Sequence, residues 1–578
     1  MASSTLQVMD LTSLRAVLAD LRGQMIPSRF EKAQQPNPQS LQLGFRTLKG
    51  MIWLELSWQA EAARLVQIPA PRRIGAGSTL AQQVQHGLRQ LALVELEQQG
   101  FERVVLFHLA PRPGEATVRT LVLELMGRHS NCLLLDEHRR ITAIARQIRQ
   151  HQSRVRPLSS GDAYLPPPSL QSLPASSEEP IDRWKRRLTL LPVELGRALQ
   201  ETYQGISPVL MRQLTTLPAT GQDPAPVSPT TSVEQISDQQ WLRLHQRWQR
   251  WLEHLEQDRF CLHFDNEGGY RVWNDPPDAD LAEPSLSLGL GLYYREHLHQ
   301  RRLRSEIGEL QQLLQQTRER ERTQRREQEQ RLRDTDGADD LQRQADALLC
   351  QTDPDRQSID QAQKLYQRAR RLRRAVPLIE ERLRHHDQRL LLLDGSECFL
   401  DDLIRADWDD PDDRSDQLKD LKAELLELLA PKRRRRQSGP PPGQPQPLEI
   451  RTTGGLTIQI GRNHRQNEWI SLRQARSGDL WFHAQECPGS HVVLKASAAA
   501  PSDLDVQQAA DLAAWFSRAK GNRRVPVVMT SVECLQRIPG SAPGTVRHRD
   551  AELLWAEPDR ARRSLEEQEP PSLNSDAC

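Results

Sequence analysis

Cysteine is scarce in this chain: seven in 578 residues, with no C-x-x-C pair. Scattered at 132, 261, 350, 398, 487, 534 and 578, and odd in number, the cysteines speak against a disulfide framework. They fit free thiols in a reducing compartment. Aromatic residues are also few, 5% against 27% charged, so modest cores and much solvated surface are expected. No apolar run approaches the ~20 residues of a membrane span. The opening "MASSTLQVMDLTSLRAVLADL" lacks the basic region and long apolar segment of a secretory signal. The reading is a cytoplasmic protein with no membrane partner. Charge of one sign is missing too: 78 Lys and Arg offset 77 Asp and Glu, for a net +1. Any nucleic-acid surface must therefore come from local clustering. A Gly-rich phosphate loop of the Walker type is absent. No catalytic constellation is visible, so no enzyme, cofactor or metal is expected.

The length implies several domains, and prolines mark the joints. Residues 1–165 read as α+β. "LTSLRAVLADLRGQM" sets Leu11, Leu14, Leu18 and Leu21 on one helical face. Strand-like runs follow at 51–56, 103–109, 120–126 and 132–136, with a helix near 79–98. After the "YLPPPSLQSLP" linker, residues 175–235 read as short helices around "YQGISP", where Gly205 and Pro208 suit a tight turn before a new helix. The segment 236–430, read as a hairpin with flanking helices, carries heptad spacing at Leu303, Ile307, Leu310 and Leu314, and again at Leu365, Ala369, Leu372, Val376, Ile379 and Leu383. Between them "RERERTQRREQEQRLR" has polar seam positions. Two heptad arms with a break near "QTDPD" predict an antiparallel coiled-coil hairpin; two unrelated helices packed on other domains are the alternative. Pro377 should bend the second arm. Residues 431–448 form a basic, proline-rich linker. From 449 to 560 the chain reads as strands with one helix near 503–519, and 561–578 as a disordered tail.

The last domain contains "DLWFHAQECPGSHVVL", residues 479–494. Between 451 and 500 six Lys and Arg face three Asp and Glu, so the segment is locally basic. Arg462, Asn463, Arg465, Gln466 and Asn467 supply forked and amide donors. Trp481, His483 and His491 offer flat faces. That mix suits a phosphate backbone and splayed bases. A buried Trp supporting a turn beneath a solvated Arg face is the competing reading. His483, Cys487 and His491 recur every four residues, but Pro488-Gly489 breaks any helix there and no set of four ligands closes a metal site.

"GRNHRQNEWISLRQARSGDLWFHAQECPGSHVVL" resembles the C-terminal RNA-binding signature of the NFACT family. It matches at Arg462, Asn463, Gln466, Asn467, Asp479, Trp481, His483, Gly489, Ser490 and His491. "LELMGRHSNCLLLD" (123–136) is similar to the family's N-terminal motif, "GISP" to its helix-hairpin-helix segment, and the paired heptads to its coiled-coil hairpin. The resemblance implies a factor that binds large ribosomal subunits obstructed by peptidyl-tRNA. Its partners would be rRNA and a recruited tRNA, tRNA-Ala in bacterial members. It would support tailing of the stalled chain without mRNA, the ribosome itself making the peptide bonds. The implied tRNA-binding residues are Asp10, Glu102, Arg103, Glu124, Leu125, Met126, Gly127, Arg128, His129 and Asn131. One departure stands out. Family members that form tails carry an Asp-Arg pair where this chain has Glu102-Arg103. Plainer roles compete: Asp10 as a helix N-cap, and Glu124 with Arg128 as a strand-end ion pair.

Three rival classes remain in view. A surface adhesin would need a secretory signal or a sorting tail. A formamidopyrimidine-DNA glycosylase, whose domains the N-terminal half resembles, needs an N-terminal proline, and this chain begins Met1-Ala2-Ser3. An RNA-binding coiled-coil scaffold without tailing activity is the blandest reading.

Overall fold

The computed structural model describes residues 6–75, 77–149, 151, 156–168, 171–216, 227–265, 268–273, 284–350, 355–406, 411–429, 445–539 and 541–568. The chain divides into two compact units, Met1–Leu298 and His299–Cys578.

In the first unit nine strands form one antiparallel sheet. They are β1 (Ser28–Asn37), β2 (Ser40–Thr47), β3 (Gly50–Ser57), β4 (Arg64–Ile68), β5 (Ala92–Glu97), β6 (Val104–Ala110), β7 (Arg119–Glu124), β8 (Asn131–Leu135) and β9 (Ile141–Ile144), in the order β4-β3-β2-β1-β5-β6-β7-β8-β9. Helix α1 (Leu11–Met25) buries Leu14, Val17, Leu18 and Leu21 against it, beside α2 (Thr79–Gly87). The stripe read from the sequence is that buried face. The helix expected over 79–98 stops at Gly87. Gln90 turns the chain at φ +65°, and residues 92–97 continue as β5.

Helices α3 (Ile181–Leu188), α4 (Leu195–Thr202), α5 (Pro208–Thr216) and α6 (Asp238–Glu256) share a core of Trp184, Tyr203, Trp241, Trp248 and Trp251. The aromatics that the chain is short of are concentrated here. A capping box at Ser237 and Gln240 starts α6. α6 is a helix flanking the hairpin in the 236–430 segment, and it packs on α3, α4 and α5. A two-stranded ribbon follows, β10 (His263–Phe264) and β11 (Tyr270–Arg271).

Helix α7 (Leu286–Asp334) begins in the first unit, where Leu290, Tyr293 and Tyr294 join the sheet's core. In the second unit α7, α8 (Ala338–Leu349) and α9 (Arg356–Arg405) form an antiparallel helical hairpin. Arg318 meets Glu397, Arg325 meets Asp387, Arg373 meets Asp339, and Tyr366 meets Asp346. As one index rises its partner falls, which is the register of a hairpin. α9 stays helical through Pro377. The break expected near "QTDPD" falls at 351–354, outside the described residues. The base of the hairpin is closed by α10 (Pro411–Leu429), with Leu303, Leu310, Leu314, Phe399, Leu403, Leu421 and Leu425 buried together. Most of the expected linker, 431–444, also lies outside the described residues.

A six-stranded antiparallel sheet completes the second unit. Its strands are β12 (Leu448–Arg451), β13 (Thr457–Ile460), β14 (Leu480–Ala484), β15 (Val492–Leu494), β16 (Val525–Ser531) and β19 (Glu552–Ala556), ordered β12-β13-β15-β14-β16-β19. The ribbon β17 (Leu535–Arg537) with β18 (Val546–His548) stands apart. Short helix α11 (His464–Glu468) leads into a π-turn at Trp469–Arg473. Helix α12 (Asp503–Trp515), capped by Ser502 and Asp505, covers one sheet face. α13 (Pro558–Gln568) packs beside it through Ala561 and the Arg560–Asp511 ion pair. Residues 561–568, read from the sequence as the start of a disordered tail, are therefore helical. Among the described residues no helix is long and apolar enough to cross a membrane.

Candidate nucleic-acid interface

Three sequence-distant motifs meet in the first unit. Asp10 caps α1: Oδ1 accepts from the backbone N–H (2.9 Å) and hydroxyl (2.8 Å) of Ser13. Its other oxygen accepts from the Ser207 hydroxyl of "GISP" at 2.7 Å. Gly205 has φ +79°, and a Cβ there would lie 2.7 Å from the Phe101 ring and 2.8 Å from Leu11. The backbone glycine is required for that approach. Phe101 directly precedes Glu102-Arg103, so Asp10, "FER" and "GISP" share one corner.

Arg103 stands at the head of β6, its carbonyl accepting from the Leu125 N–H at 2.9 Å. Burial lowers its guanidinium pKa, against the pull of Asp10 and Glu102. Among the described residues that guanidinium has no hydrogen-bond or ion-pair partner. A half-buried cation whose donors meet no partner among the described residues is suited to an incoming phosphate or base edge.

The "ELMGRHSN" residues separate into two groups. Glu124, Leu125 and Asn131 are fully buried. Glu124 accepts from Arg156 Nη1 (3.0 Å) and from the Tyr164 hydroxyl (3.0 Å). The expected Glu124–Arg128 pair does not form, and a ligand role for Glu124 is corrected with it: the carboxylate is enclosed by its own domain. Asn131 ties β8 to the following chain, accepting from Arg146 N–H (3.0 Å) and donating to the Arg146 carbonyl (2.9 Å). Leu125 is core. The Met126 N–H donates to Ser130 Oγ (2.8 Å), and Gly127 takes φ +55° in a tight 3-10 turn. That turn leaves Arg128 and His129 exposed. Arg146, exposed and donating to the Arg128 carbonyl (2.6 Å), joins them. Sequence reading misses it because it lies on no motif.

The C-terminal signature also turns inward. Asn463 is the N-cap of α11, accepting from the Gln466 N–H at 2.8 Å. Gln466 accepts from the Arg462 N–H (2.8 Å), and Asn467 Oδ1 from the His491 N–H (3.0 Å). Arg465 pairs with Glu427, and Glu424 accepts from the N–H groups of His464 (3.1 Å) and Arg465 (2.6 Å). Burial lowers the Arg462 guanidinium to about 10, with Asp402 opposing. Gly489 approaches the α12 end so closely that a Cβ would meet Ser517 Cβ at 2.9 Å, and the Ser490 N–H donates to the Phe516 carbonyl at 2.8 Å. Trp481 is 3% exposed and His491 4%. The Trp481 ring lies edge-on to His491 (5.1 Å) and nearly parallel to His483 (5.7 Å). His491 Nδ1 is bonded to Ser471 Oγ (2.8 Å). Burial drives His483 down to about 4 and His491 well below its usual value. The expectation that Trp481 and His491 present stacking faces is therefore corrected: they pack the domain, in line with the competing reading. Only part of His483 reaches the surface.

The exposed cations lie beside this core. Arg473 ends the π-turn and Arg476 follows it, and Arg537, Arg547, His548 and Arg549 line the β17–β18 ribbon packed on it. "VRHR" at 546–549 is the run that could have pointed to them.

The family comparisons agree with this layout. The family model described as "NFACT N-terminal and middle domains" matches residues 10–354, and "NFACT protein RNA binding domain" matches 448–548. The chain belongs to the NFACT family, and its C-terminal sheet domain is that family's RNA-binding domain. It is similar to "Rqc2 homolog RqcH" of Streptococcus pneumoniae serotype 2 (strain D39 / NCTC 7466), 26% identical over 94% of this chain and 97% of that protein. "Rqc2 homolog RqcH" of Bacillus subtilis (strain 168) is 24% identical over 80% of this chain and 83% of that protein. Among solved structures, the C-terminal part of the fibronectin/fibrinogen-binding protein from Streptococcus suis is 27% identical. It covers 45% of this chain and 98% of that chain at a TM-score of 0.37.

Proposed function

We propose that this protein is a ribosome quality-control factor. It binds large ribosomal subunits obstructed by peptidyl-tRNA, recruits a tRNA, and supports tailing of the stalled chain without mRNA. The observation that carries this reading is the end-to-end match: both family domains are present, and relatives named Rqc2 homolog RqcH align over almost their whole length. The corner of Asp10, Glu102, Arg103 and Ser207 supports it by offering a half-buried guanidinium with no partner among the described residues. In this reading Arg103 grips the tRNA, with Arg128, His129 and Arg146 alongside. The protein positions substrates, and the ribosome supplies the catalysis; the protein acts in the cytoplasm, without a cofactor. tRNA-Ala is the tRNA to test first.

The test is to sequence the RNA that copurifies with wild-type protein and with Arg103→Ala. The wild type should enrich large-subunit rRNA and a few tRNAs. Arg103→Ala should lose the tRNAs, retain the rRNA and melt like the wild type, because its guanidinium bonds to none of the described residues. Unchanged tRNA recovery would remove Arg103 from the site. Glu102→Asp restores the family pair, and a rise in tailing would show that the longer Glu weakens that step.

A further inference from the structure

The C-terminal sheet has two faces, and one is only half covered. α12 and α13 lie across the first. On the second, the π-turn and the β17–β18 ribbon roof one end, over Trp481 and Val493. Strand register shows what lies beyond the roof. His483, Val528 and Leu553 stand side by side across β14, β16 and β19. The next row is Gln485, Pro526 and Trp555, joined by the Gln485 N–H to the Pro526 carbonyl (2.9 Å) and by the Pro526–Trp555 pairing. Residues two apart share a face, so both rows continue the Trp481 side of the sheet.

β19 is the edge strand, and on it Leu553 is 50% and Trp555 58% exposed. Of the described tryptophans, Trp555 alone is exposed. A chain this poor in aromatics has placed an indole on an open sheet.

Charge decides what fits there. Arg523 and Arg524 are exposed at the Pro526 end, with Arg524 held by Glu557 at 3.3 Å. Arg547, His548 and Arg549 are exposed at the roofed end. Glu552 points to the opposite side by strand alternation; Glu486 and Asp550 are exposed acids at the margins. An apolar platform carrying a tryptophan, with arginines at both ends, suits unpaired nucleotides: bases stack on the ring and phosphates meet the guanidinium groups.

We propose that this open face, centred on Trp555 and Leu553, stacks unpaired bases of RNA, while Arg523, Arg547 and Arg549 hold the flanking phosphates. Trp555 lies beyond the residues matched by the RNA-binding family model, 448–548. The proposal rests on the RNA-binding part of the function proposed above.

The test uses the full chain and a short fluorescein-labelled oligouridine, read by anisotropy across a salt series. Cosedimentation with purified large subunits is measured in parallel. Trp555→Ala should weaken oligouridine binding about ten-fold, in the range of one lost base stack. Trp555→Phe should recover most of it. Arg547→Ala with Arg549→Ala should lower the salt slope by roughly 0.7 per lost phosphate contact. Equal oligouridine affinity of Trp555→Ala and wild type overturns the proposal, and leaves the ribosomal reading intact if the wild type still sediments with subunits. If Trp555→Ala loses subunits with its oligouridine affinity unchanged, the face meets a protein, and the proposal falls as well.

Discussion

Glu124 stands in the most recognisable N-terminal motif, yet its carboxylate faces inward to Arg156 and Tyr164. Removing one partner of a buried ion pair strands the other charge, at a cost of about 3–5 kcal/mol. Glu124→Ala should therefore lower the urea midpoint of the first unit sharply, whereas Arg103→Ala should barely move it. A near-wild-type midpoint for Glu124→Ala would contradict a structural role for that carboxylate. The motifs were legible in the sequence; the direction in which their side chains point was not. Trp, His and Asn serve equally well as ligands or as packed, hydrogen-bonded interior groups, and one chain's residue types do not separate the two. Burial separates them: it takes Asn463, Gln466, Asn467, Trp481 and His491 into the fold and leaves Arg473, Arg547 and Arg549 outside. By the same logic Arg462 and Arg465, half-buried beside Asp402 and Glu427, anchor their segment and are not the free cations that composition suggested.

The helical hairpin shows what an element reveals and conceals. The first heptad run announces its base, where Leu303, Leu310 and Leu314 meet Leu392, Phe399 and Leu403. The polar middle carries no seam to read. Its pairing rests on charge: Glu321 binds Arg389 at 2.7 Å and His386 at 2.7 Å, and Arg325 binds Asp387 at 2.6 Å. Beyond them the second heptad run supplies a narrow seam, with Ala338, Ala345, Ala362, Ala369 and Ile379 buried, flanked by exposed pairs such as Arg373 with Asp339, 2.7 Å apart. Exposed pairs of this kind contribute about 0–1 kcal/mol each, and a seam made mostly of alanine buries little apolar area, so the distal arm is held weakly. Pro377 gives no bend strong enough to end α9, although a helix-interior proline forfeits a hydrogen bond and costs about 3 kcal/mol. Replacing residues 330–382 by a short turn should thus leave the melting transition of the C-terminal unit within a few degrees of wild type. If the arm reaches the ribosome, cosedimentation with large subunits should fall several-fold. Full-strength sedimentation of that variant would show the arm to be dispensable. Strands are harder to read than helices in this sequence: β1, "SRFEKAQQPN", is too polar to announce itself, and β5 reads as a continuation of α2.

At the scale of the whole molecule, a net charge of +1 conceals local basic surfaces and several buried titratable groups. In the second unit these groups oppose one another. Burial holds His464 and His483 at about 4. A base with a lowered folded pKa gives stability that is complete above the unfolded value near 6.5 and is lost as pH falls towards 4. Glu424 runs the other way. Burial raises it to about 7 despite the N–H groups of Arg465 and His464, so the folded chain takes up that proton first. Its contribution grows as pH falls from about 7 towards 4.5 and is absent above 7. Asp402, raised by burial to about 6 against the pull of Lys520, acts in the same sense. The wild-type stability of this unit should therefore decline gently on acidification. Glu424→Gln removes one counterweight and leaves the histidines less opposed. Its stability should fall more steeply between pH 7 and 4.5, by up to about 1.4 kcal/mol per pH unit at the steepest point, the value of one proton. Urea midpoints of the C-terminal unit at four pH values measure this. Parallel curves for wild type and Glu424→Gln would mean that Glu424 is ionised throughout, held so by the two N–H groups it accepts from, and that the histidines alone set the acid limit.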